Sequence, residues 1–583
     1  MTVSKLLGSL NNYSIHHLRK DLLAGVIVGV IALPLGMAFA IASGVKPEYG
    51  LYTTIIAGIL ISIFGGSKYQ IGGPTGAFVP VLLGIVMAYG YENLLIAGFM
   101  AGVLLVLMGM LKLGALIQFI PRPVIIGFTS GIAVIIFTGQ VANFLGLSDI
   151  EKHEDFFSNM KEMVIHLNTI NVYSVATALI CFFFIVVTPK FSPKIPGPLI
   201  GLLASSVIAT YLFPGHVETI ASTFGEIPNS LPHFHMPQFT LEKIQLLIGP
   251  TFTIAILGAI ESLLSAVVAD EMTGTKHNSN RELVGQGIAN MITPLFGGIA
   301  ATGAIARTAT NIKNGAVSPV SGIIHGLVVL FVLVLFAPYA SAVPLASMAP
   351  ILMVVAWNMS ERKAFSRILL TKTSDSFILL TTFFLTVFAN LTIAVEAGLL
   401  MSFILFIRRM STSFKVNQVL PDPADKKVRP LLDEEKSGCP QISLCTVEGP
   451  LFFGAAQLFD QTIAEAIHYR PNVLILRMSK VPYMDITGEA ILASIVKDFH
   501  KQGGLILLSG MQHQPTDVIK RTKLFDLIGK EHVFSHTGEA IDFALTKLNK
   551  NKCLGCKQYA FHECLELSNS NEKEKKPDKS LLA

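Results

Sequence analysis

Charge is what this sequence has least of. Only 14% of its 583 residues are Asp, Glu, Lys or Arg, against about 25% in an ordinary soluble domain. The deficit is local: residues 21–407 are nearly all apolar, whereas 411–583 have the mixture of a soluble protein. One large membrane domain (21–409), a linker (410–437) and a cytosolic-type domain (438–549) are therefore expected. Residues 1–20 are polar and basic and lack the apolar core of a signal peptide, so this segment is expected to stay attached on the cytosolic side. The net charge of +5 sits mostly at segment ends, which fits membrane topology and not nucleic-acid binding. A convergent nucleophile–base set is also lacking, so the sequence gives no support to an enzyme. Among the six cysteines, Cys181, Cys439 and Cys445 follow no pairing pattern.

What is present is hydropathy in blocks. Fourteen apolar segments begin near Asp21, Leu51, Thr75, Leu94, Arg122, Val172, Pro198, Ile244, Glu282, Thr302, Pro319, Leu345, Phe377 and Leu391. Those at Thr75 and Thr302 are short. With the N-terminus in the cytosol, the inside loops Pro189–Lys194, Asp270–Arg281 and Ser360–Arg367 and the Arg408–Arg409 end all carry Lys or Arg. The long outside loop Phe213–Lys243 is nearly free of them. This asymmetry follows the positive-inside rule and predicts a multi-pass cell-membrane protein with both termini cytoplasmic.

One segment carries a charge where it is expensive. Glu261 lies about halfway along GAIESLLSAVVAD (Gly258–Asp270). A carboxylate at membrane depth costs at least ~2.5 kcal/mol on insertion scales and marks a functional site by default. Downstream, FGGIAATGAIARTATNI (Phe296–Ile312) combines a glycine break with Arg307. Phe296-Gly297-Gly298 then Thr302-Gly303-Ala304 echoes Phe64-Gly65-Gly66 then Thr75-Gly76-Ala77, the two TGA copies lying 227 residues apart. That spacing is about seven segments, and an odd number of spans inverts the second copy relative to the first. Half-helices starting at Thr75 and Thr302 would aim two N-termini, each worth about half a positive charge, at one spot suited to an anion.

These runs also resemble a known family. ALPLGMAFA (Ala32–Ala40), GGPTGAF (Gly72–Phe78), ADEMTGTKHNSNRELVGQGIANM (Ala269–Met291) and ATGAIARTATNIKNGAVSP (Ala301–Pro319), with a C-terminal STAS-like domain, resemble bacterial sulfate permease (SulP) anion transporters. The resemblance implies a helical polytopic fold of fourteen segments in a seven-plus-seven inverted repeat. Core and gate domains would move by an elevator-like mechanism, usually in a homodimer. It also implies that Thr75, Gly76, Ala77 and Phe78 line one side of the substrate site and Thr302, Gly303 and Ala304 the other. Pro34 would break the first span beside them, and Arg307 would supply positive potential; a structural partnership of Arg307 with Glu261 or nearby carbonyls is the alternative. Leu35 stands where some relatives have Gln.

Glu261 decides the coupling. In sodium-coupled bicarbonate relatives the matching position resembles an Asp with hydroxyls close by. Here Ser265 lies one turn on, and Ile305 offers no oxygen where a Thr would help. A carboxyl group in a low-dielectric site favours its neutral form and can load and release a proton. The expectation is proton-coupled symport of sulfate, a C4-dicarboxylate or bicarbonate, with H⁺ rather than Na⁺ as the coupling ion and no cofactor. A sodium-coupled bicarbonate symporter or an uncoupled anion channel or exchanger is the alternative. AWNMSE (Ala356–Glu361) and TGTKHNSNRE (Thr273–Glu282) resemble proton-linked dicarboxylate members.

Of the histidines, His233 and His235 face the outside loop, and His277 and His325 read as structural. Beyond Arg408, Pro421–Glu435 reads as linker. QISLCTVEG, LFFGA, NVLILRM and LILLSG then read as strands, and GEAILASIVKDFHKQG and TDVIKRTKLFDLI as helices, giving an α/β domain. Met484–Gly488 resembles the STAS loop in which a hydroxyl is phosphorylated; Thr487 keeps that hydroxyl, either as a regulatory site for a cytosolic partner or as a helix cap. In the tail (550–583), Cys553, Cys556, His562 and Cys564 have soft-ligand spacing that would suit a small zinc site, with free thiols as the alternative. Asn569–Ala583 has a disordered composition.

Overall fold

The computed structural model describes residues 13–115, 121–151, 153, 155–191, 195–389, 391–421, 428–430, 438–467, 471–554, 556, 558, 560–561 and 563–568. Its contacts divide into two units, Met1–Ser402 and Phe403–Ala583.

Helices cover all fourteen expected segments of the first unit. They are α1 (Ile15–Ala42), α2 (Pro47–Phe64), α3 (Val79–Tyr89), α4 (Tyr91–Met110), α5 (Arg122–Gly139), α6 (Val172–Phe191) and α7 (Gly197–Leu212). There follow α8 (Ile248–Thr273), α9 (Ser279–Ile292), α10 (Ile305–Lys313), α11 (Val320–Ser341), α12 (Leu345–Met359), α13 (Ser374–Phe388) and α14 (Leu391–Ser413). Seven helices of the described residues are long and apolar enough to cross a membrane. Several starts carry proline in the first turn, where its missing N–H costs nothing: Pro47, Pro123 and Pro198.

Small residues let these helices approach closely. A Cβ on Gly102 of α4 would come within 2.6 Å of Met291 N, and one on Gly287 of α9 within 2.6 Å of Gly102 O. With no water to squeeze out between membrane helices, such contact is what holds them together. Polar anchors fix the rest. Asp21, fully buried, accepts hydrogen bonds from Val317 N (2.8 Å), Ser318 N (3.2 Å) and Tyr13 Oη (2.7 Å), tying the start of α1 to the turn before α11.

Two expectations about breaks change. Pro34 does not end the first span: α1 runs unbroken through it. Neighbouring helices stabilise a membrane helix around the single bond that proline removes. The second break also lies later than expected, since Thr302 and Gly303 are extended and α10 starts only at Ile305.

The second unit holds a six-stranded sheet, in which Val428–Pro430 lies at one edge, followed by Lys415–Pro421, Ile442–Glu448, Val473–Lys480, Leu505–Ser509 and Val533–Phe534. Its strands are β3 (Lys415–Pro421), β4 (Val428–Pro430), β5 (Ile442–Glu448), β6 (Val473–Lys480), β7 (Leu505–Ser509) and β8 (Val533–Phe534). β5 to β8 are parallel and β3 and β4 add an antiparallel edge. Apolar cores lie on both faces, one around Phe459, Leu476 and Val496, the other around Ile475, Leu507 and Ala544.

Three local readings are corrected here. The linker contributes β3 and the edge strand β4, with too little apolar alternation to stand out. LFFGA is a turn entering the helix Ala456–Ile467, held by Phe453 N donating to Asp485 Oδ2 (3.0 Å). TDVIKRTKLFDLI splits into His513–Arg521 and Leu524–Ile528, because Lys523 adopts a left-handed conformation (φ 63°). Residues 422–427, 431–437 and 569–583 of the expected linker and tail, like His562, lie outside the described residues.

Candidate functional site

Two interruptions in helical structure meet in the middle of the first unit. Gly72–Gly73 (β1) pairs antiparallel with Thr302–Gly303 (β2), Gly72 opposite Gly303 and Gly73 opposite Thr302. Ala304 N donates to Ile71 O at 2.8 Å and extends the ladder. From this short sheet the chain enters a 3₁₀ turn (Gly76–Phe78) and α3 on one side, and α10 on the other. α3 has 11 residues and α10 has 9. At ~1.5 Å per residue each covers about half of a ~30 Å bilayer core.

α8 runs beside this ladder and supplies Glu261. Its carboxylate accepts a 2.7 Å hydrogen bond from Thr75 Oγ1. Thr75 holds the N-cap position of the turn but makes no side-chain cap bond, so its hydroxyl is directed to Glu261. One residue on, Ser262 is fully buried and faces the ladder. Its hydroxyl shares a 2.7 Å bond with Thr302 Oγ1 and accepts from Gly303 N at 3.2 Å. Ser265 donates to Thr308 Oγ1 (3.2 Å), which in turn accepts from Ile71 N (3.1 Å).

Arg307, at the first turn of α10, is 3% exposed. Its Nη2 donates to Pro74 O, and its Nη1 has no hydrogen-bond partner among the described residues. No ion pair joins it to Glu261 among the described residues. Of the two structural partnerships weighed for Arg307, the carbonyl is therefore the one observed. Gly73 makes room for the guanidinium: a Cβ there would lie 2.6 Å from Nη1, and its φ of +152° is one that side chains disfavour.

The structure thus brings Thr75, Gly76, Ala77, Phe78, Glu261, Thr302, Gly303, Ala304 and Arg307 onto or beside one ladder. Phe78 packs over α8, its ring tip 3.3 Å from the place of a Cβ on Gly258. Thr302 is fully buried and serves the ladder, also donating to Gly258 O at 3.2 Å. Ile305 is 40% exposed and Leu35 is buried.

Several residues that hold this arrangement were not singled out from the sequence. Gln70 Nε2 donates to Ser262 O (3.1 Å) and to Glu282 Oε1 (2.9 Å). Glu282, fully buried in α9, also accepts from Gly66 N (2.7 Å), Ser67 N (3.0 Å) and Gln286 Nε2 (2.9 Å). Glu282 stands at the start of its segment, straight after the polar loop, where a carboxylate is ordinary and gave no signal. Unlike Glu261, it is saturated by donors on every side.

The other candidates lie elsewhere. His277 is anchored by Asp270 (2.7 Å) at the end of α8, and His325 is buried in α11. His235 lies 3.4 Å from Glu92. In the second unit the cap role weighed for Thr487 falls to Asp485, whose Oδ1 accepts from Gly488 N at 2.8 Å; Thr487 itself is exposed. Cys553, Cys556 and Cys564 are described without His562, and among the described residues no three His, Cys, Asp or Glu assemble as a metal site.

Comparison with known proteins agrees with this architecture. Residues 18–382 match the sulfate permease family and residues 435–540 the STAS domain. YvdB of Bacillus subtilis, provisionally named a sulfate transporter, is 57% identical over 532 residues, covering 91% of this chain and 99% of its own. The bicarbonate transporter BicA of a Picosynechococcus species is 31% identical over 565 residues, covering 92% and 96%. Among solved structures, SLC26A9 superposes with a TM-score of 0.83 at 20% identity, covering 94% of this chain and 93% of its own. The transmembrane domain of a cyanobacterial BicA superposes at 0.61 with 32% identity, covering 66% and 98%. With its multi-pass helical unit, its interrupted helices and its STAS sheet, the chain belongs to the sulfate permease family of membrane anion transporters, which are not enzymes.

Proposed function

We propose that this protein is a proton-coupled anion symporter whose site lies where the Gly76–Phe78 turn and α10 begin. The observation that carries the reading is the 2.7 Å bond between Thr75 and Glu261, beside the ladder, where Arg307 also projects an Nη1 that has no partner among the described residues. An anion arriving there would meet a guanidinium N–H and the positive ends of two helices. Glu261 has a neutral hydroxyl as its partner and, among the described residues, no cation, so a proton is the charge that can neutralise it. Entry of H⁺ with the anion offsets the negative charge moving against an inside-negative potential.

The coupling ion read this way is H⁺. Sodium needs several oxygens in a preformed cage, whereas the Ser265 hydroxyl is committed to Thr308 and Ile305 brings none. Sulfate and bicarbonate follow from the names of the relatives; a C4-dicarboxylate rests on the resemblance of two loops. We further propose that the two interrupted regions are inverted repeats, and that a core carrying the ladder moves against a gate in an elevator-like step within a homodimer. The positive-inside charge pattern supports a cell-membrane location with both termini in the cytoplasm.

The test is uptake into proteoliposomes of purified protein. Sulfate, succinate, fumarate and bicarbonate would be offered under an inward proton gradient, a sodium gradient, or neither, to wild type and Glu261→Gln. The expected result is accumulation of one anion under the proton gradient alone, abolished by Glu261→Gln. Accumulation that follows sodium would turn the reading to a sodium-coupled symporter. Equal downhill flux in wild type and variant would turn it to a channel or exchanger.

A further inference from the structure

A cavity opens between α5, α12, α13 and the short helix Arg362–Leu370 that links the last two. It holds about 360 Å³ and is lined mainly by apolar side chains, among them Ala133, Val134, Phe137, Trp357, Phe365 and Phe383. Its floor is closed by a 2.8 Å bond from Ser130 Oγ to Ser360 O, and one wall by the edge-to-face rings of Phe365 and Phe383. Its size falls at the lower end of the ~300–1,000 Å³ of small-molecule sites.

The rim has the opposite character. The guanidinium of Arg362 stacks over the Trp357 ring at 3.5 Å, and both residues are exposed. Lys363, Arg367 and Lys372 lie exposed on the same connection, against the acids Glu361 and Asp375. The short helix is itself amphipathic: Phe365 turns into the cavity while Leu370 stays 75% exposed. A basic amphipathic helix with Trp and Arg beside an apolar cleft has the chemistry of a membrane interface.

We infer that this cavity binds an anionic phospholipid, one acyl chain filling the cleft and the phosphate held by Arg362 over Trp357. The cleft supplies the apolar half of the match and the net positive connection the charged half, since basic residues near a bilayer surface attract anionic headgroups. Arg rather than Lys at the mouth suits a phosphate, which accepts paired N–H donors from one plane. The inference is independent of which anion is transported and of how transport is coupled.

The test uses the full chain in nanodiscs containing equal phosphatidylglycerol and phosphatidylcholine, followed by native mass spectrometry of the retained lipid. Wild type is expected to retain phosphatidylglycerol over phosphatidylcholine by about fivefold, the factor that corresponds to one basic contact at a bilayer surface. Arg362→Gln, which removes the charge, and Val134→Trp, which fills the cleft, should each abolish that preference while leaving the melting midpoint within the wild-type range. Equal retention of both lipids by wild type overturns the inference. Loss in Arg362→Gln but not in Val134→Trp also overturns it, because the headgroup would then be adhering to the basic helix without the cavity. Conversion of a dimer to a monomer by Val134→Trp would overturn it in favour of a second copy of this chain covering the cleft.

Discussion

The two TGA tripeptides have the same sequence but different surroundings. Thr75 stands at the start of a turn, partly exposed, and gives its hydroxyl to the carboxylate of Glu261. Thr302 lies within the ladder, wholly buried, donates its hydroxyl to Gly258 O and shares a bond with the Ser262 hydroxyl. The second break is shifted, with helix resuming at Ile305, so its threonine is paired within the ladder, whereas Thr75, equally extended, lies beyond it at the N-cap of the turn. One copy of the motif therefore presents a hydroxyl to the site and the other spends it on holding the strands together. Repetition in a chain marks shared geometry more dependably than shared chemistry.

That contrast can be broken by substitution. The largest effect is expected at Arg307, which belongs to the second break by position but serves the first through Pro74. Arg307→Gln should weaken anion binding by about 10–100-fold, as removal of a charged hydrogen-bond donor does; binding measured on purified protein by calorimetry checks it. An unchanged affinity would mean that the free Nη1 faces no substrate.

Thr75→Val should lower proton-driven uptake about tenfold while leaving the melting midpoint of detergent-solubilised protein unchanged, and Thr75→Ser should restore it. Thr302→Val is expected to reverse the pattern. It leaves Ser262 short of a buried partner and should cost about 1–3 kcal/mol of stability, with uptake per folded molecule within about twofold of wild type by the same reasoning. If Thr302→Val proves stable but inactive, the division of labour between the copies is wrong.

The smallest effect lies outside both breaks. Asp485→Ala removes the cap of the helix Ile486–Lys501 and should destabilise the STAS sheet by about 0.5–2 kcal/mol. Thermal unfolding followed by near-ultraviolet dichroism reads it, and transport in freshly purified protein should be unaffected.

What could be read from the sequence was whatever stood out against an apolar background. Glu261, Arg307 and the glycine breaks are conspicuous because bilayer-spanning segments exclude charge and punctuation. The fourteen segments were legible for the same reason. Ser262, Gln70 and Glu282 were not picked out, because a strap is defined by its partner. The bond from Gln70 to Ser262 closes a loop of 192 residues that no local pattern encodes. The register of the break at Thr302 was invisible too: its pairing with Gly73 and its bonds to Ser262 and Gly258 are all made to distant parts of the chain. In the STAS unit β3 escaped notice because, among its described residues, only Val419 and Leu420 at its far end are buried, whereas β5 and β6 announce themselves by being apolar on both faces.

The ladder between β1 and β2 is only two residue pairs long. Side chains alternate sides along such a ribbon, so sliding it by a single residue turns every side chain to the opposite face. An insertion or deletion of one amino acid between Gln70 and Thr75 would bring Thr302 out of its buried contacts and draw Arg307 off Pro74. Lineages of this protein should therefore keep these strands fixed in length as well as in glycine, since a Cβ on Gly72, Gly73 or Gly303 would meet Ile61, Arg307 or Gln70, so that a gap of one position here marks lost transport as sharply as a side chain at those glycines.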